Sequence, residues 1–228
     1  MSSKTLTIYH GSANIIPEPK FGAGNPRNDY GLGFYCTETL DLAKEWACTE
    51  THGGYANKYF LEMKDLNILN LSGKKYTILH WLTILLQNRL FERRNQISEL
   101  GRQYLIDHFS IDTSVYDVIK GYRADDSYFS FAQDFLDNTI TLKKLSEAMK
   151  LGKLGEQIVI ISRDGYKHLH YAGAEPVDKD IYYPRKKARD ELARSTYFQS
   201  RINIELTADD LFLADIIRRG MTANDIHI

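Results

Sequence analysis

Two strand-like segments joined by a loop rich in glycine and proline constrain the fold more than any other feature. Lys4-Thr5-Leu6-Thr7-Ile8-Tyr9 alternates polar and apolar side chains, the pattern of a half-buried strand, and runs straight into His10-Gly11-Ser12. Pro17, Pro19, Gly22, Gly24 and Pro26 then break regular structure. Asp29-Tyr30-Gly31-Leu32 follows and leads into Gly33-Phe34-Tyr35-Cys36-Thr37, a second short strand. Thr39 is placed to cap a helix through Ala43, Trp46 and Ala47 that stops at Gly53-Gly54, and Tyr55 to Met63 alternates again.

From Ile78 to Ile106 the period becomes helical, with Leu79, Leu82, Leu85, Leu86 and Leu90 on one broad face. Tyr116 to Ile119 reads as a strand entering Gly121-Tyr122-Arg123-Ala124-Asp125-Asp126. Two helices are expected next, Tyr128 to Leu136 and Leu142 to Met149, the second closed by Gly152. Gln157 to Ser162 is a β-branched run suited to a central strand. Helices are expected from Pro184 to about Gln199 and from Thr207 to Arg219, the last opened by a threonine cap and closed by Gly220. Short strands mixed with helices, without repeats or linkers, predict one α+β domain over residues 1–228.

The 228 residues carry a net charge of −1, which gives no global basic field for nucleic acid and no acidic tail. Cys36 and Cys48 have neither zinc nor redox spacing, and His168 and His170 have no partners at metal spacing, so no metal is expected. The longest apolar run, Trp81 to Leu86, is far too short for a bilayer, and the N-terminus has no signal-peptide pattern; a cytoplasmic protein with no membrane partner is expected. Gly22-x-Gly24 and Gly31-x-Gly33 lack the third glycine of a dinucleotide fingerprint. Arg185-Lys186-Lys187, with Arg189 and Arg194, offers phosphate contacts, although a charge run this short is usually a solvated helix face.

The pairing of Tyr9-His10-Gly11-Ser12 with Asp29-Tyr30-Gly31-Leu32-Gly33-Phe34-Tyr35-Cys36-Thr37 resembles the ADP-ribosyltransferase superfamily, in its His-Tyr-x branch, and a bacterial toxin or defence-type group within it. The resemblance covers residues 4 to about 63 and 154 to 165. It implies a fold of two small, roughly perpendicular β-sheets forming an NAD cleft, with residues 74–150 as a helical insertion. It also implies a mono-ADP-ribosyltransferase that consumes NAD, modifies a protein or nucleic-acid acceptor, and is often matched by a neutralising antitoxin.

Chemistry supports that division of labour. Cleaving NAD expels a planar, cationic pyridinium while the sugar passes through an oxocarbenium-like state. An aromatic face can hold the cation, worth about 0.5–2 kcal/mol. Tyr35 supplies such a face, Gly11 lets a ligand approach the backbone, and His10 can hydrogen-bond a ribose hydroxyl. In similar enzymes the histidine contacts ribose, the glycine backbone binds the carboxamide and the tyrosine stacks on nicotinamide. Cofactor contacts are thereby implied for His10, Gly11, Ser12, Asp29, Gly33, Tyr35 and Thr37. The third catalytic position falls on Glu156 or Gln157, and strand alternation lets only one face the cleft. Gln157, which directly precedes the apolar run, is favoured. A glutamine there argues for single transfer rather than chain elongation. Asp29 is equally readable as a turn residue. Asp125 and Asp126 are either a helix cap or acids that orient the acceptor. NAD glycohydrolysis and silent binding of NAD or ADP-ribose remain alternatives.

Overall fold

The computed structural model describes residues 5–124, 126–151, 155–202, 206–207 and 209–226. Asp125 and Gly152 lie outside the described residues. The architecture is α+β, with two small sheets and, among the described residues, eight α-helices.

The first sheet has the order β1-β3-β7, formed by β1 (Thr5–Ser12), β3 (Gly54–Glu62) and β7 (Leu169–Val177), all antiparallel neighbours. The second has the order β2-β6-β5-β4, from β2 (Phe34–Cys36), β6 (Glu156–Ile160), β5 (Val118–Tyr122) and β4 (Ile68–Asn70). A two-way backbone bridge between Tyr9 and Thr37, at 2.8 and 2.9 Å, ties the sheets together.

Strand alternation then sorts the core. Ile8, Tyr59 and Leu61 of the first sheet meet Phe34, Cys36, Val118, Ile158 and Ile160 of the second in a shared apolar layer. The opposite face of the second sheet, carrying Tyr35, Ile119 and Val159, packs on a larger helical core. That core is built from α2 (Ile78–Asn88), α3 (Gln96–Phe109), α4 (Asp126–Leu136), α5 (Leu142–Ala148), α7 (Lys179–Ile202) and α8 (Leu213–Arg218). A third small cluster seats α1 (Leu40–Ala47) against Ala56 and Val177, and the short α6 (Arg163–Lys167) links β6 to β7.

Several boundaries differ from expectation for local reasons. The helix expected over 78–106 is two helices. Arg89 turns extended at the end of α2, its N–H closing on the Leu85 carbonyl at 2.8 Å, and Asn95 caps α3 by accepting from the Ser98 N–H. Leu90 falls in this break and is exposed rather than on the apolar face. Residues 74–150 are mostly helical but also supply β5, which lies between β4 and β6 and weaves the segment into the second sheet. α7 begins at Lys179, ahead of Pro184, so the proline sits within the helix rather than at its start. Thr207 bonds Asp210 in a turn, leaving α8 only Leu213–Arg218, after which Gly220 takes a positive φ of 64° as the expected stop.

Candidate active site

The loop between β1 and β2 is anchored residue by residue. Asp29 is buried, with one carboxylate oxygen accepting from Arg89 Nη1 at 2.9 Å and the other from the Ala124 N–H at 2.8 Å. Arg89 also donates to the Ala124 carbonyl and lies 4.4 Å over the Phe129 ring, so Asp29 clasps the end of α2 to the segment that follows β5. Burial pushes the Asp29 carboxyl above its ordinary value, opposed by the Ala124 N–H and by Arg89. Buried Tyr30 donates its hydroxyl to the Tyr122 carbonyl, which Trp81 Nε1 also reaches. Gly31 turns at φ +73°, where a Cβ would stand 2.7 Å from Asn88 Oδ1. Asp29 thus holds the loop, as the turn reading expects, and it also lines the cavity described below.

This loop fixes Tyr35. Its hydroxyl donates to the Gly31 carbonyl at 2.6 Å and accepts from the Tyr30 N–H at 3.0 Å. Burial holds the phenol well above its ordinary pKa, so it stays neutral. With both ends of the hydroxyl occupied, Tyr35 offers a ligand its ring rather than its oxygen.

His10 approaches from β1. Its Nδ1 lies 2.7 Å from the Tyr35 carbonyl, an oxygen that can only accept, so the proton sits on Nδ1 and Nε2 keeps its lone pair. Burial lowers the His10 pKa, more than this backbone bond raises it, and the ring is a neutral acceptor at neutral pH. Its ring packs against Phe34 with centroids 4.4 Å apart.

The third member comes from β6. Gln157 pairs with Gly121 of β5 and shares a face with Val159, which stands opposite Tyr35; Glu156 faces the other way. Gln157 is buried and lines the same cavity of about 380 Å³ as His10, Gly11, Tyr35, Asp29 and Trp46. Glu156 pairs instead with Lys120 at 2.9 Å and is absent from the cavity wall. The register left open between the two residues is thus Gln157 inward.

Other expected contacts divide. Gly33 and Tyr35 line an adjoining, more apolar cavity of about 450 Å³, together with Phe34 and Tyr166, and His10 borders both cavities. Ser12 is turned away: its hydroxyl donates to the Asn14 carbonyl and accepts from Asn57 Nδ2. Buried Thr37 is spent on the bridge to Tyr9 and on accepting the Thr39 N–H. Neither lines the cavities, because both serve the joint between strands. Gly11 reaches the cavity, but the want of a Cβ there is set by α1, since a Cβ would meet the Ala43 carbonyl oxygen at 2.0 Å. Asp126 opens α4, and its neighbour Asp125 lies outside the described residues.

Three cations line the cavity wall: Arg89 and Arg123, which carry no signal in the sequence, and Lys186 of the basic run. Arg123 stacks 4.3 Å over the Trp46 ring, and Lys186 donates to the Cys48 carbonyl. Lys186 sits in the basic run read as a solvated face. That reading suits Arg194, which pairs with Asp190, but not Lys186, nor Arg189, which grips Glu45 through two bonds of 2.8 and 2.9 Å. Only long-range packing of α7 against α1 reveals the difference. Among the described residues Asp29 is the one acid on this wall, and it is already engaged. Among the described residues no cluster of three or more His, Cys, Asp or Glu is arranged for a metal ion, and no helix is long and apolar enough to cross a membrane.

No curated protein and no solved structure matches the chain. Residues 6–171, which carry His10, Tyr35 and Gln157 but not Lys186, match the family described as "Protein of unknown function (DUF3990)", and the chain belongs to that family.

Proposed function

We propose that the chain is an NAD-consuming mono-ADP-ribosyltransferase with an ADP-ribosyltransferase-like fold. The observation that carries this reading is the meeting of His10, Tyr35 and Gln157, from three distant segments, on the wall of one cavity. Its volume of about 380 Å³ lies in the range of small-molecule sites, and a second cavity adjoins it at His10.

Each group answers one demand of the reaction. The immobilised Tyr35 ring carries the pyridinium. Neutral His10 accepts from a ribose hydroxyl through Nε2. Gln157 presents an amide oxygen to the sugar as positive charge develops, a dipole in place of a full negative charge. Arg89, Arg123 and Lys186 bring cationic donors to the wall, the chemistry a pyrophosphate is bound by. The glycosidic C–N bond breaks, nicotinamide leaves neutral with the electron pair, and an acceptor heteroatom bonds to the anomeric carbon and gives up its proton. Glu156 pairs with Lys120 outside the cavity, and a glutamine rather than a glutamate at the third position favours a single transfer over chain elongation. An antitoxin-type partner would act by covering this mouth.

Incubation with NAD, quantifying free nicotinamide and weighing candidate protein and nucleic-acid acceptors by mass spectrometry, tests the proposal. Nicotinamide release with a matching mass gain on an acceptor is expected. Release without any mass gain makes the enzyme a glycohydrolase, and ligand-dependent thermal stabilisation without release makes it a silent binding module.

A further inference from the structure

Among the described residues, two buried side-chain polar atoms have no hydrogen-bond partner: Trp46 Nε1 and Gln157 Oε1. Both residues line the 380 Å³ cavity. A buried polar group left unpaired costs about 1–3 kcal/mol, and folded proteins rarely leave one without a reason. Here the pair is complementary, since an indole N–H can only donate and an amide oxygen can only accept. A single ligand in this cavity that satisfies both must offer an acceptor to Trp46 and a donor to Gln157.

Each side chain is held where it stands. Trp46 rides on α1, which is locked to β1 by the close approach at Gly11, and the Arg123 guanidinium covers its ring at 4.3 Å. Gln157 lies opposite Gly121, a position where a Cβ would strike the Tyr30 hydroxyl at 2.4 Å. Tyr35 stands opposite Val159, and Gln157 lies two residues further along the same face, a step of about 7 Å. That displacement is on the scale separating a pyridinium ring from the hydroxyls of its own ribose.

We infer that Trp46 and Gln157 together bind the cis-diol of the nicotinamide ribose, one hydroxyl donating to Gln157 Oε1 and its neighbour accepting from Trp46 Nε1–H. This rests on the NAD reading above and extends it. It makes Trp46 a substrate-binding residue and makes the site selective for an N-ribosyl compound with both hydroxyls intact over a deoxyribosyl one. A diol meets the donor and acceptor without any proton transfer, and binding removes both unsatisfied groups at once.

The test measures dissociation constants by calorimetry with a carbocyclic, non-cleavable NAD analogue. Its versions lacking either hydroxyl on the nicotinamide-side ring, and one with the carboxamide replaced by an acetyl group, are compared with it on the intact wild-type chain and on Trp46→Phe. The phenyl ring keeps a face for Arg123 and loses only the N–H donor. Loss of one hydrogen bond predicts binding about tenfold weaker for Trp46→Phe. One deoxy analogue should bind wild type and Trp46→Phe equally, because the contact is already gone. Should Trp46→Phe fold poorly, Gln157→Leu carries the same test from the acceptor side: the deoxy analogue that lacks the hydroxyl donating to Gln157 should bind it as tightly as the full analogue does, and a persisting difference overturns the assignment. Unchanged affinity for the deoxy analogues, or a loss that follows the acetyl analogue instead, overturns the diol assignment while leaving NAD cleavage intact. A wild-type chain that neither binds the analogue nor releases nicotinamide from NAD overturns both readings.

Discussion

Asp29→Ala tests how the loop that holds Tyr35 is fixed. The carboxylate is 6% exposed and accepts from Arg89 at 2.9 Å and from the Ala124 N–H at 2.8 Å. Alanine leaves the Ala124 N–H buried and unpaired, a loss of about 1–3 kcal/mol. It also strips the counter-charge from Arg89, and breaking a buried pair costs about 3–5 kcal/mol. Arg89 is 27% exposed and keeps its bond to the Ala124 carbonyl and its seat on Phe129, which places the total near the low end. A destabilisation of about 3 kcal/mol follows, or a melting temperature lowered by about 6–12 °C for a chain of this size. Asp29→Asn keeps one acceptor oxygen but removes the charge and turns its NH2 toward the other donor, so it should lose about 2 kcal/mol, less than alanine. Thermal melts of both variants, with Arg89→Ala and the double variant closing a cycle, measure this directly. Because the same loop carries Tyr30 and Gly31, KM for NAD should rise in Asp29→Ala more than kcat falls. A melt of Asp29→Ala within about 2 °C of wild type would refute the clasp.

The remaining predictions are separate. Gly11→Ala drives a methyl to 2.0 Å from the Ala43 carbonyl and should lower the urea midpoint by an amount equivalent to at least about 3 kcal/mol, whatever the ligand does. Glu156→Gln should change stability by less than about 1 kcal/mol and leave nicotinamide release unaltered, whereas Gln157→Ala should reduce release at least about tenfold; equal losses would mean the register is misassigned. His10 binds its proton less readily folded than unfolded, so its contribution to stability is present above its ordinary value of 6.5 and is lost as pH falls through the lower folded value. The acid limb of NAD cleavage should accordingly lie below pH 6.5 and should move or vanish in His10→Gln; an acid limb above that value counts against the neutral imidazole.

Alternation and β-branched composition made β1, β2, β3 and β6 readable, because each strand sets its own two faces through local pattern. β4 is too short, at three residues, for any periodicity. β7 contains Gly173 and Pro176 and reads poorly as a strand; it forms because β3 offers it a free edge. The break between α2 and α3 lies within one apolar period, whose continuity outweighs the local stop and start at Arg89 and the Asn95 cap. The same division runs through the site. His10, Tyr35 and the Glu156/Gln157 pair were visible as motifs, and parity along β6 decides between the last two. Ser12 and Thr37 share their motifs with the ligand-facing residues, yet their bonds go to the joints between strands, a distinction that local sequence does not carry. Arg89, Arg123, Lys186 and the role of Trp46 depend on helices brought in from far along the chain.

A crystal structure of the wild-type chain with the carbocyclic NAD analogue bears most directly on the central claim. The pyridinium ring should lie on the face of Tyr35, with its sugar ring between His10 and Gln157 and the pyrophosphate toward Arg89 and Arg123. An analogue bound elsewhere, or a cavity that stays empty of it at saturating concentration, would contradict the assignment.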